Sequence, residues 1–259
     1  MTEFHGMPAH RWTGPGGATA VATLQGGHLV SWIPAGGTEA LFVSERSAFA
    51  PGRAIRGGVP VVFPQFGPRG PLAQHGFART QPWRLVNEEG GRAAFRLESS
   101  AETLKLWPHA FELELAIAIG GPRLAMKLRV RNTDREPFSF TAALHTYFRI
   151  SDAATVRLEG LQPDAVGAAQ PIDRIFLAPS PRTRLVDTGR ELVIAQDGFR
   201  DTVVWNPGRE RAAAMPDMDP QGYRRMLCVE AAAIDPPVAL QPGHEWTGSQ
   251  AIEAGPAPR

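Results

Sequence analysis

The strongest constraint on the fold is a strict alternation of apolar and polar side chains over residues 111–132. In FELELAIAIG, apolar side chains occupy every second position, and Glu112 and Glu114 stand between them. After a Gly-Gly-Pro turn, the segment RLAMKLRVRN continues the same period of two. Because successive side chains of a strand point to opposite faces, both segments are predicted to be half-buried β-strands. The turn between them predicts an antiparallel hairpin.

The rest of the chain contains shorter segments that also resemble β-strands. Weaker strand candidates are TAVATLQGG, AAFRLES, ATVRLEGL, RELVIAQ, DTVVWN and RMLCVEAA. The 24 prolines and 27 glycines separate these pieces at short intervals, and only SAETLKLW has the pattern of one or two helical turns. We find no internal repeat and no linker-like tract. The sequence therefore predicts an all-β fold of antiparallel sheets with little helix, as a single domain over residues 1–259.

Composition and charge exclude several classes of protein. A net charge of +1 provides no general attraction for nucleic acid or for an anionic membrane. No apolar run approaches the roughly 18 residues that would span a bilayer, and the first residues do not resemble a signal peptide. The lone Cys228 excludes an internal disulfide and a zinc site built from several cysteines. We therefore expect a cytoplasmic, monomeric protein with no nucleic-acid or membrane partner.

A glycine- and proline-rich stretch, RGGVPVVFPQFGPRGPLAQHGFAR, is the first candidate for a functional site. Prolines around its short apolar run predict an edge strand or an irregular crossing, followed by a surface loop. A loop that returns Gln74, His75 and Arg79 to the side of Arg56 would surround one cavity with two guanidinium groups and two neutral donors. Such a cavity would suit an anion next to hydroxyl groups. Surface salt bridges and a loop-capping histidine would account for the same residues without any ligand.

Two polar residues in apolar, strand-like segments add to this site. His145 lies within FTAALHTYFRI, and Glu230 follows an apolar run in RMLCVEAAAI. A carboxylate is not expected among buried apolar residues unless it has a partner. A hydrogen-bonded core histidine and a glutamate at a strand end are the structural alternatives.

Together, these segments resemble a known family. IRGGVPVVFPQFG, QHGFAR, ALHTYF, DTVVWNP and CVE, in this order, are similar to the D-hexose-6-phosphate mutarotases, or glucose-6-phosphate 1-epimerases. These enzymes form part of the wider aldose 1-epimerase and galactose mutarotase-like group. The resemblance extends from about residue 19 to residue 253. One departure is the Ala-Ala-Ala that follows Glu230, where many relatives have a proline soon afterwards.

The resemblance implies a galactose mutarotase-like β-supersandwich with a polar cleft on one face. His145 would match the general acid of the family, and Glu230 would match its general base. The positions that match its substrate-binding residues are Arg56, Gln74, Arg79 and Asp201. The family requires neither a metal ion nor an organic cofactor, and its substrate is a small-molecule hexose 6-phosphate.

The chemistry of anomer exchange agrees with these residue types. A cyclic hemiacetal opens when one group removes the O1 proton and another protonates the ring oxygen, and it recloses when the two groups exchange roles. The arginine pair favours a phosphorylated sugar over a free aldose, because a neutral sugar needs no group that binds a dianion. Three alternatives remain: a mutarotase of unphosphorylated aldoses, a non-catalytic carbohydrate-binding module, and a metal site of His75, His145 and Glu230.

Overall fold

The structure is a computed structural model that describes residues 2–161 and 166–256. The first ten strands are β1 (Thr2–Phe4), β2 (Met7–Thr13), β3 (Thr19–Thr23), β4 (His28–Ile33), β5 (Val61–Val62), β6 (Arg84–Glu89), β7 (Arg92–Glu98), β8 (Phe111–Gly120), β9 (Arg123–Asn132) and β10 (Phe138–Leu144). The others are β11 (Tyr147–Arg149), β12 (Arg157–Glu159), β13 (Val166–Gly167), β14 (Ile172–Phe176), β15 (Arg182–Asp187), β16 (Arg190–Asp197), β17 (Asp201–Asn206), β18 (Met226–Leu240) and β19 (Glu245–Pro256). The α-helices of the described ranges are α1 (Ala101–Leu106) and α2 (Gly208–Ala214).

These strands form three antiparallel sheets. The largest has nine strands in the order β13-β12-β15-β16-β19-β9-β8-β7-β6. The second has the order β14-β17-β18-β10-β5, with β11 also paired to β18, and the third is β1-β2-β3-β4. The prediction of an all-β fold with large antiparallel sheets and little helix is confirmed. None of the helices in the described ranges has the length and apolar character that crossing a bilayer requires.

The predicted hairpin forms the middle of the nine-stranded sheet. β8 and β9 pair antiparallel from Phe111↔Asn132 to Gly120↔Arg123. Alternate side chains of both strands are buried in the main hydrophobic core, where they meet apolar side chains from β10 and β18 of the second sheet. Packing two sheets face to face through their alternating apolar side chains is how a β-sandwich removes both inner faces from water. On the outer face, Arg129 bridges Glu112 and Glu114.

Strand β18 has two different faces, and this difference positions the site. Leu227, Val229 and Ala231 point into the main core between the sheets. Cys228 and Glu230 occupy the alternate positions and therefore point to the opposite side of the sheet. On that side the sheet is covered by α2 and the loops after β5 and α2, and a cleft is left between them.

The segment before β5 crosses the molecule in a narrow gap. Gly57 and Gly58 have φ angles of +123° and +62°. A Cβ atom on Gly57 would lie 2.3 Å from the Phe42 carbonyl oxygen, and one on Gly58 would lie 2.3 Å from that of Leu29. Only glycine therefore fits at both positions, because the backbone is left-handed there and closely enclosed. The predicted edge position is confirmed, since β5 is two residues long and ends the order of its sheet.

Candidate active site

The cleft beside β18 collects most of the residues that the sequence singles out. This acid–base cleft has a volume of about 460 Å³. It is lined by Arg56, Phe66, Gly67, Pro68, Gln74, His75, His145, Asp173, Val203, Trp205, Arg211, Met215 and Glu230. The predicted residues Arg56, Gln74, His75, His145 and Glu230 therefore meet at one cavity, although they come from four distant parts of the chain.

His145 and Glu230 form the floor of the cleft. His145 lies in the short interruption between β10 and β11, and Glu230 is on the neighbouring strand β18. His145 Nδ1 is 3.4 Å from Glu230 Oε1, and the two residues are only 6% and 1% exposed. The contact lacks the alignment of a hydrogen bond, and neither His145 Nδ1 nor Glu230 Oε2 has another hydrogen-bond partner among the described residues. Both groups therefore keep bonding capacity for a ligand in the cleft.

Burial shifts the pKa values of both groups in the direction of the neutral forms. Desolvation, helped by the neighbouring His75 and Arg79, lowers the pKa of His145 well below its usual value. Desolvation also raises the pKa of Glu230 well above that of an exposed glutamate, while the positive charge of Arg79 opposes this increase. A neutral imidazole can accept a proton, and a protonated carboxyl group can donate one.

The ring of His145 is held by aromatic neighbours. It stacks on Tyr147 with ring centroids 4.7 Å apart and an interplanar angle of 9°. The ring of His75 meets it edge to face at 5.3 Å. These contacts restrict rotation of the imidazole, so its nitrogens point in fixed directions at the floor of the cleft.

His75 presents a neutral imidazole at the wall of the cleft. Burial, followed by repulsion from Arg79 and Arg56, lowers the pKa of His75 to about 3. Its Nδ1 accepts a hydrogen bond from the backbone N–H of Gly67 at 3.3 Å, which leaves the proton on Nε2. The side-chain amide nitrogen of Gln74 lies 3.4 Å from that Nε2, and because both atoms are donors in this tautomer they do not hydrogen-bond to each other. His75 and Gln74 thus offer neutral hydrogen-bonding groups of the kind that bind sugar hydroxyls.

Arg56 is already partly engaged inside the protein. Its guanidinium donates to both oxygens of Asp217, with contacts from 3.0 to 3.3 Å, and to the hydroxyl of Tyr147 at 3.2 Å. Desolvation disfavours the charged form of this group, but the contacts with Tyr147 and Asp217 outweigh that effect, so the pKa of Arg56 is raised above its ordinary value. The arginine therefore stays charged, and an anion in the cleft would share it with Asp217.

Arg79 lies in a second cavity that adjoins the first. This arginine cleft, of about 490 Å³, is lined by Ala48, Gly52, Arg53, Ala54, Ile55, Arg56, Arg79, Tyr147, Ala214, Met215, Pro216 and Asp217. Arg79 Nη2 donates to the Gln74 carbonyl oxygen at 2.9 Å, while its buried Nε has no partner among the described residues. Burial lowers the pKa of Arg79, and the nearby Arg56 lowers it further. An anion between the two arginines would relieve both effects.

The structure does not bring Asp201 into either cleft. Asp201 is 1% exposed, and its Oδ2 accepts hydrogen bonds from the backbone N–H groups of Ile234 and Asp235 at 2.8 and 3.1 Å. Its Oδ1 faces the N–H of Ala178 at 3.4 Å. The carboxylate thus binds backbone at an irregular part of β18, and the geometry does not support the predicted substrate-binding role for Asp201.

Sequence reasoning missed three charged residues at the clefts. Asp173, on the edge strand β14, pairs with Arg211 of α2 at 3.2 Å, and both line the acid–base cleft. Asp217, in the loop after α2, binds Arg56. Trp205 also lines the acid–base cleft; it is 8% exposed and has the guanidinium groups of Arg56 and Arg211 about 6 Å from its ring. The segment IDRIF around Asp173 does not alternate, so the sequence carried no clear signal for this residue.

Comparison with known proteins agrees with the fold and with the sequence motifs. Residues 8–164 and 161–253 match the aldose 1-epimerase family. A protein of Cenchrus ciliaris named "Putative glucose-6-phosphate 1-epimerase" is 39% identical over an alignment of 265 positions that includes 90% of this chain and 80% of the relative. A protein of the same name from Escherichia coli strain K12 is 37% identical over 233 residues, covering 81% of this chain and 78% of the relative.

Solved structures lead to the same family. The crystal structure of a "putative mutarotase (YeaD)" from Salmonella typhimurium superimposes with a TM-score of 0.86 at 32% identity, covering 93% of this chain and 88% of that chain. A galactose mutarotase-like protein from Lactobacillus casei, at 16% identity and a TM-score of 0.71, shares the fold. On the match to residues 8–164 and 161–253, the chain belongs to the aldose 1-epimerase family.

Proposed function

We propose that this isomerase interconverts the α- and β-anomers of hexose 6-phosphates by general acid and base catalysis. The observation that carries the proposal is the contact of His145 Nδ1 with Glu230 Oε1 at 3.4 Å, on the floor of a cleft bordered by arginines. The similarity to proteins named glucose-6-phosphate 1-epimerase supports the same reaction.

Ring opening needs two groups at the same end of the sugar. O1 and O5 are both bonded to C1, so one proton must leave and one must arrive at neighbouring atoms. Glu230 takes the proton from the O1 hydroxyl, while His145 delivers a proton to O5 and the C1–O5 bond breaks. After rotation about the C1–C2 bond, O5 attacks the other face of the aldehyde and the two protons return. Each proton transfer of this kind contributes about 10² to 10⁴-fold.

The protonation states that the reaction requires differ from those that burial favours. Glu230 must be ionised and His145 must carry a proton when the substrate opens, which is the reverse of what burial alone favours. A small rotation that aligns the two side chains as a hydrogen bond would let the proton of Glu230 pass to His145, and a carboxylate beside an imidazolium is then a paired charge. The return of that proton regenerates the resting state.

We assign the phosphate end of the substrate to the two arginines. Arg56 lines both clefts, and Arg79 lines the arginine cleft, where its Nε has no hydrogen-bond partner among the described residues. A phosphate between them would form charge-assisted hydrogen bonds remote from C1, and this contact would help to fix the ring over His145 and Glu230. Neutral donors at Gln74 and His75 suit the ring hydroxyls.

Anomer exchange measured by NMR tests the proposal directly. We expect a catalytic amount of protein to accelerate magnetisation transfer between the two anomeric signals of glucose 6-phosphate, well above the spontaneous rate. Binding of the sugar without acceleration would instead identify a carbohydrate-binding module. Faster turnover of free glucose than of glucose 6-phosphate would identify an aldose mutarotase, and loss of activity in excess EDTA would identify a metal-dependent reaction.

A further inference from the structure

Directly behind the floor of the acid–base cleft lies a third side chain, which lines neither cleft and which the proposed reaction does not use. Cys228 stands two residues before Glu230 on the same face of β18 and is fully buried. One ligand atom each from His145, Cys228 and Glu230 can be chosen so that all three lie within 4.8 Å of one another. The three groups therefore form one cluster rather than three separate core positions.

We propose that His145, Cys228 and Glu230 form a binding site for a soft or borderline divalent cation, such as Zn²⁺, and that the ion inhibits the enzyme. Inhibition would follow because the ion occupies both groups that transfer protons in the proposed function, on which this second part rests. The site is thus opposite in effect to a catalytic metal site.

The donor set fits such an ion. Thiolate, imidazole and carboxylate are the three ligand types that zinc accepts, and the thiolate disfavours Mg²⁺ and Ca²⁺. Metal–ligand bonds of about 2.0 to 2.3 Å place tetrahedral ligand atoms roughly 3.3 to 3.7 Å apart. The distance of 3.4 Å between His145 and Glu230 already meets this value. Side-chain rotations that move the other atoms by about 1 Å would complete the set, with a fourth ligand approaching from the side of the cleft that His145 and Glu230 line.

Unused bonding capacity at the cluster is a second, independent indication of a ligand. His145 Nδ1 and Glu230 Oε2 are buried and lack hydrogen-bond partners among the residues that the structure describes. Buried polar atoms without partners are uncommon, because each loses its hydration without compensation. A bound cation would satisfy both atoms at once.

The charges also balance. Binding breaks the S–H bond of Cys228 and, where Glu230 is protonated, its O–H bond, and the protons leave to solvent. One thiolate and one carboxylate then neutralise the two positive charges of the ion, which removes most of the penalty for a buried charge. Of the nearby cations, Arg56 and Arg211 are already paired with Asp217 and Asp173. The positive charge of Arg79, which acts on both His145 and Glu230, opposes the ion.

Cobalt absorption tests the site without any measurement of activity. Protein freed of metal with EDTA and then desalted is titrated with CoCl₂, and a thiolate bound to Co²⁺ produces a charge-transfer band in the near ultraviolet. Since the chain has a single cysteine, the band reports Cys228 alone. We expect saturation at one ion per chain and loss of the band on addition of Zn²⁺. Absence of the band in the wild-type protein overturns the proposal, with no variant needed.

Activity measurements with Cys228→Ser then test inhibition. In EDTA, this variant should keep its anomer exchange within about twofold of the wild type, since Cys228 transfers no proton. It should need about tenfold more Zn²⁺ for half-inhibition, because one of three ligands is lost. Equal zinc sensitivity of both proteins overturns the inhibitory role, and Cys228→Ala repeats the comparison if serine impairs folding. If the wild type exchanges no anomers, the proposed function fails, while the cobalt band still decides the metal site.

Discussion

Two buried ionisable side chains in contact, each with an unsatisfied atom, are costly for stability. His145 and Glu230 are 6% and 1% exposed, and no described residue completes their hydrogen bonding. Proteins retain such groups where an incoming molecule supplies the missing partners and the shifted pKa values serve proton transfer. At the scale of the residue, this cost is the main physical argument that the cleft is a site of chemistry.

We expect His145→Ala and Glu230→Gln each to reduce turnover of glucose 6-phosphate by about 10² to 10⁴-fold, because each variant removes one proton-transfer group. Anomer exchange by NMR, corrected for the spontaneous rate, gives the measurement. Circular dichroism and urea unfolding serve as controls for folding. Wild-type-like rates in either variant would contradict the assignment.

The two arginines lead to a prediction about substrate preference. Arg56→Ala or Arg79→Ala should raise KM for glucose 6-phosphate more than KM for free glucose, because only the phosphorylated sugar carries the dianion. A loss of one charge-assisted contact corresponds to about 1.5 to 3 kcal/mol, or roughly 10 to 100-fold in KM.

Arg69→Ala is the matched control for this measurement. Arg69 is an exposed arginine that lies between Arg56 and Arg79 in the chain and lines neither cleft. It should leave both KM values within about twofold, as expected for a solvated surface charge. An equal rise in KM for both sugars in the Arg56 or Arg79 variant would identify a structural arginine.

At the scale of the element, the Gly57-Gly58 crossing determines where Arg56 enters the clefts. The backbone of Gly58 donates to the Phe42 carbonyl oxygen at 2.7 Å, and that of Val59 donates to the Leu29 carbonyl oxygen at 2.8 Å. The segment is thereby held between the 42–43 loop and β4. Arg56, immediately before it, takes its direction from this crossing.

Gly57→Ala should therefore destabilise the protein by about 3 kcal/mol or more, because the new Cβ would meet the backbone of Phe42 and Val43 at 2.3 and 2.4 Å. Urea unfolding measures the loss. Gly52→Ala is the control, since Gly52 also has a positive φ, of +74°, but has open space around its Cβ position. It should lose only about 1 kcal/mol. Equal losses in the two variants would mean that enclosure of the crossing is unimportant.

Prediction of individual elements succeeded where the hydrophobic pattern was regular. The alternation of residues 111–132 predicted the β8–β9 hairpin, and SAETLKLW predicted a short helix, observed as α1. The elements that were missed are β1, β2, β4, β6, β13, β14, β15, β19 and α2. β2 contains a proline, and α2 is short, starts at a glycine and follows a proline, so neither carries a clear periodic signal.

At the scale of the whole molecule, buried histidines link stability to pH. His28 lies in the interior, where its Nε2 donates to the Gly57 carbonyl oxygen at 2.7 Å. Burial lowers the pKa of His28 from 6.5 to about 4, although the bond to Gly57 opposes the decrease. Between these values the unfolded chain binds a proton that the folded chain does not, so acidification favours unfolding. The contribution of His28 is complete above pH 6.5 and is lost as the pH falls toward 4.

We therefore expect the free energy of unfolding to fall with decreasing pH below about 6.5, with His28 contributing about 1.4 kcal/mol per pH unit. Urea unfolding at pH 7, 6 and 5 measures the slope. His28→Gln, which cannot titrate, should have a shallower slope by that amount, whereas the exposed His244→Gln should match the wild type. Glu230 acts with the opposite sign but is common to all three proteins. Identical slopes in the His28 variant and the wild type would refute the argument.

Two predictions for the whole molecule, a single domain over residues 1–259 and a monomeric state, stay predictions. Size-exclusion chromatography with light scattering would decide the oligomeric state, and a single cooperative unfolding transition would support one domain.

The sequence by itself determined the class of fold and most members of the site. Alternation is a local property with a period of two, so the regular strands could be predicted without knowledge of the strands with which they pair. Charged or polar groups in apolar segments stood out for the same reason, as at His145 and Glu230. Only the tertiary structure decided which carboxylates meet the cleft. Asp173 and Asp201 lie on two paired strands, β14 and β17, yet one faces the cavity and the other binds backbone amides. By alternation Asp201 lies on the same face of β17 as Val203 and Trp205, which line the cleft. Its contact with the backbone amides of Ile234 and Asp235, far away in the chain, makes the difference, and no local pattern records it.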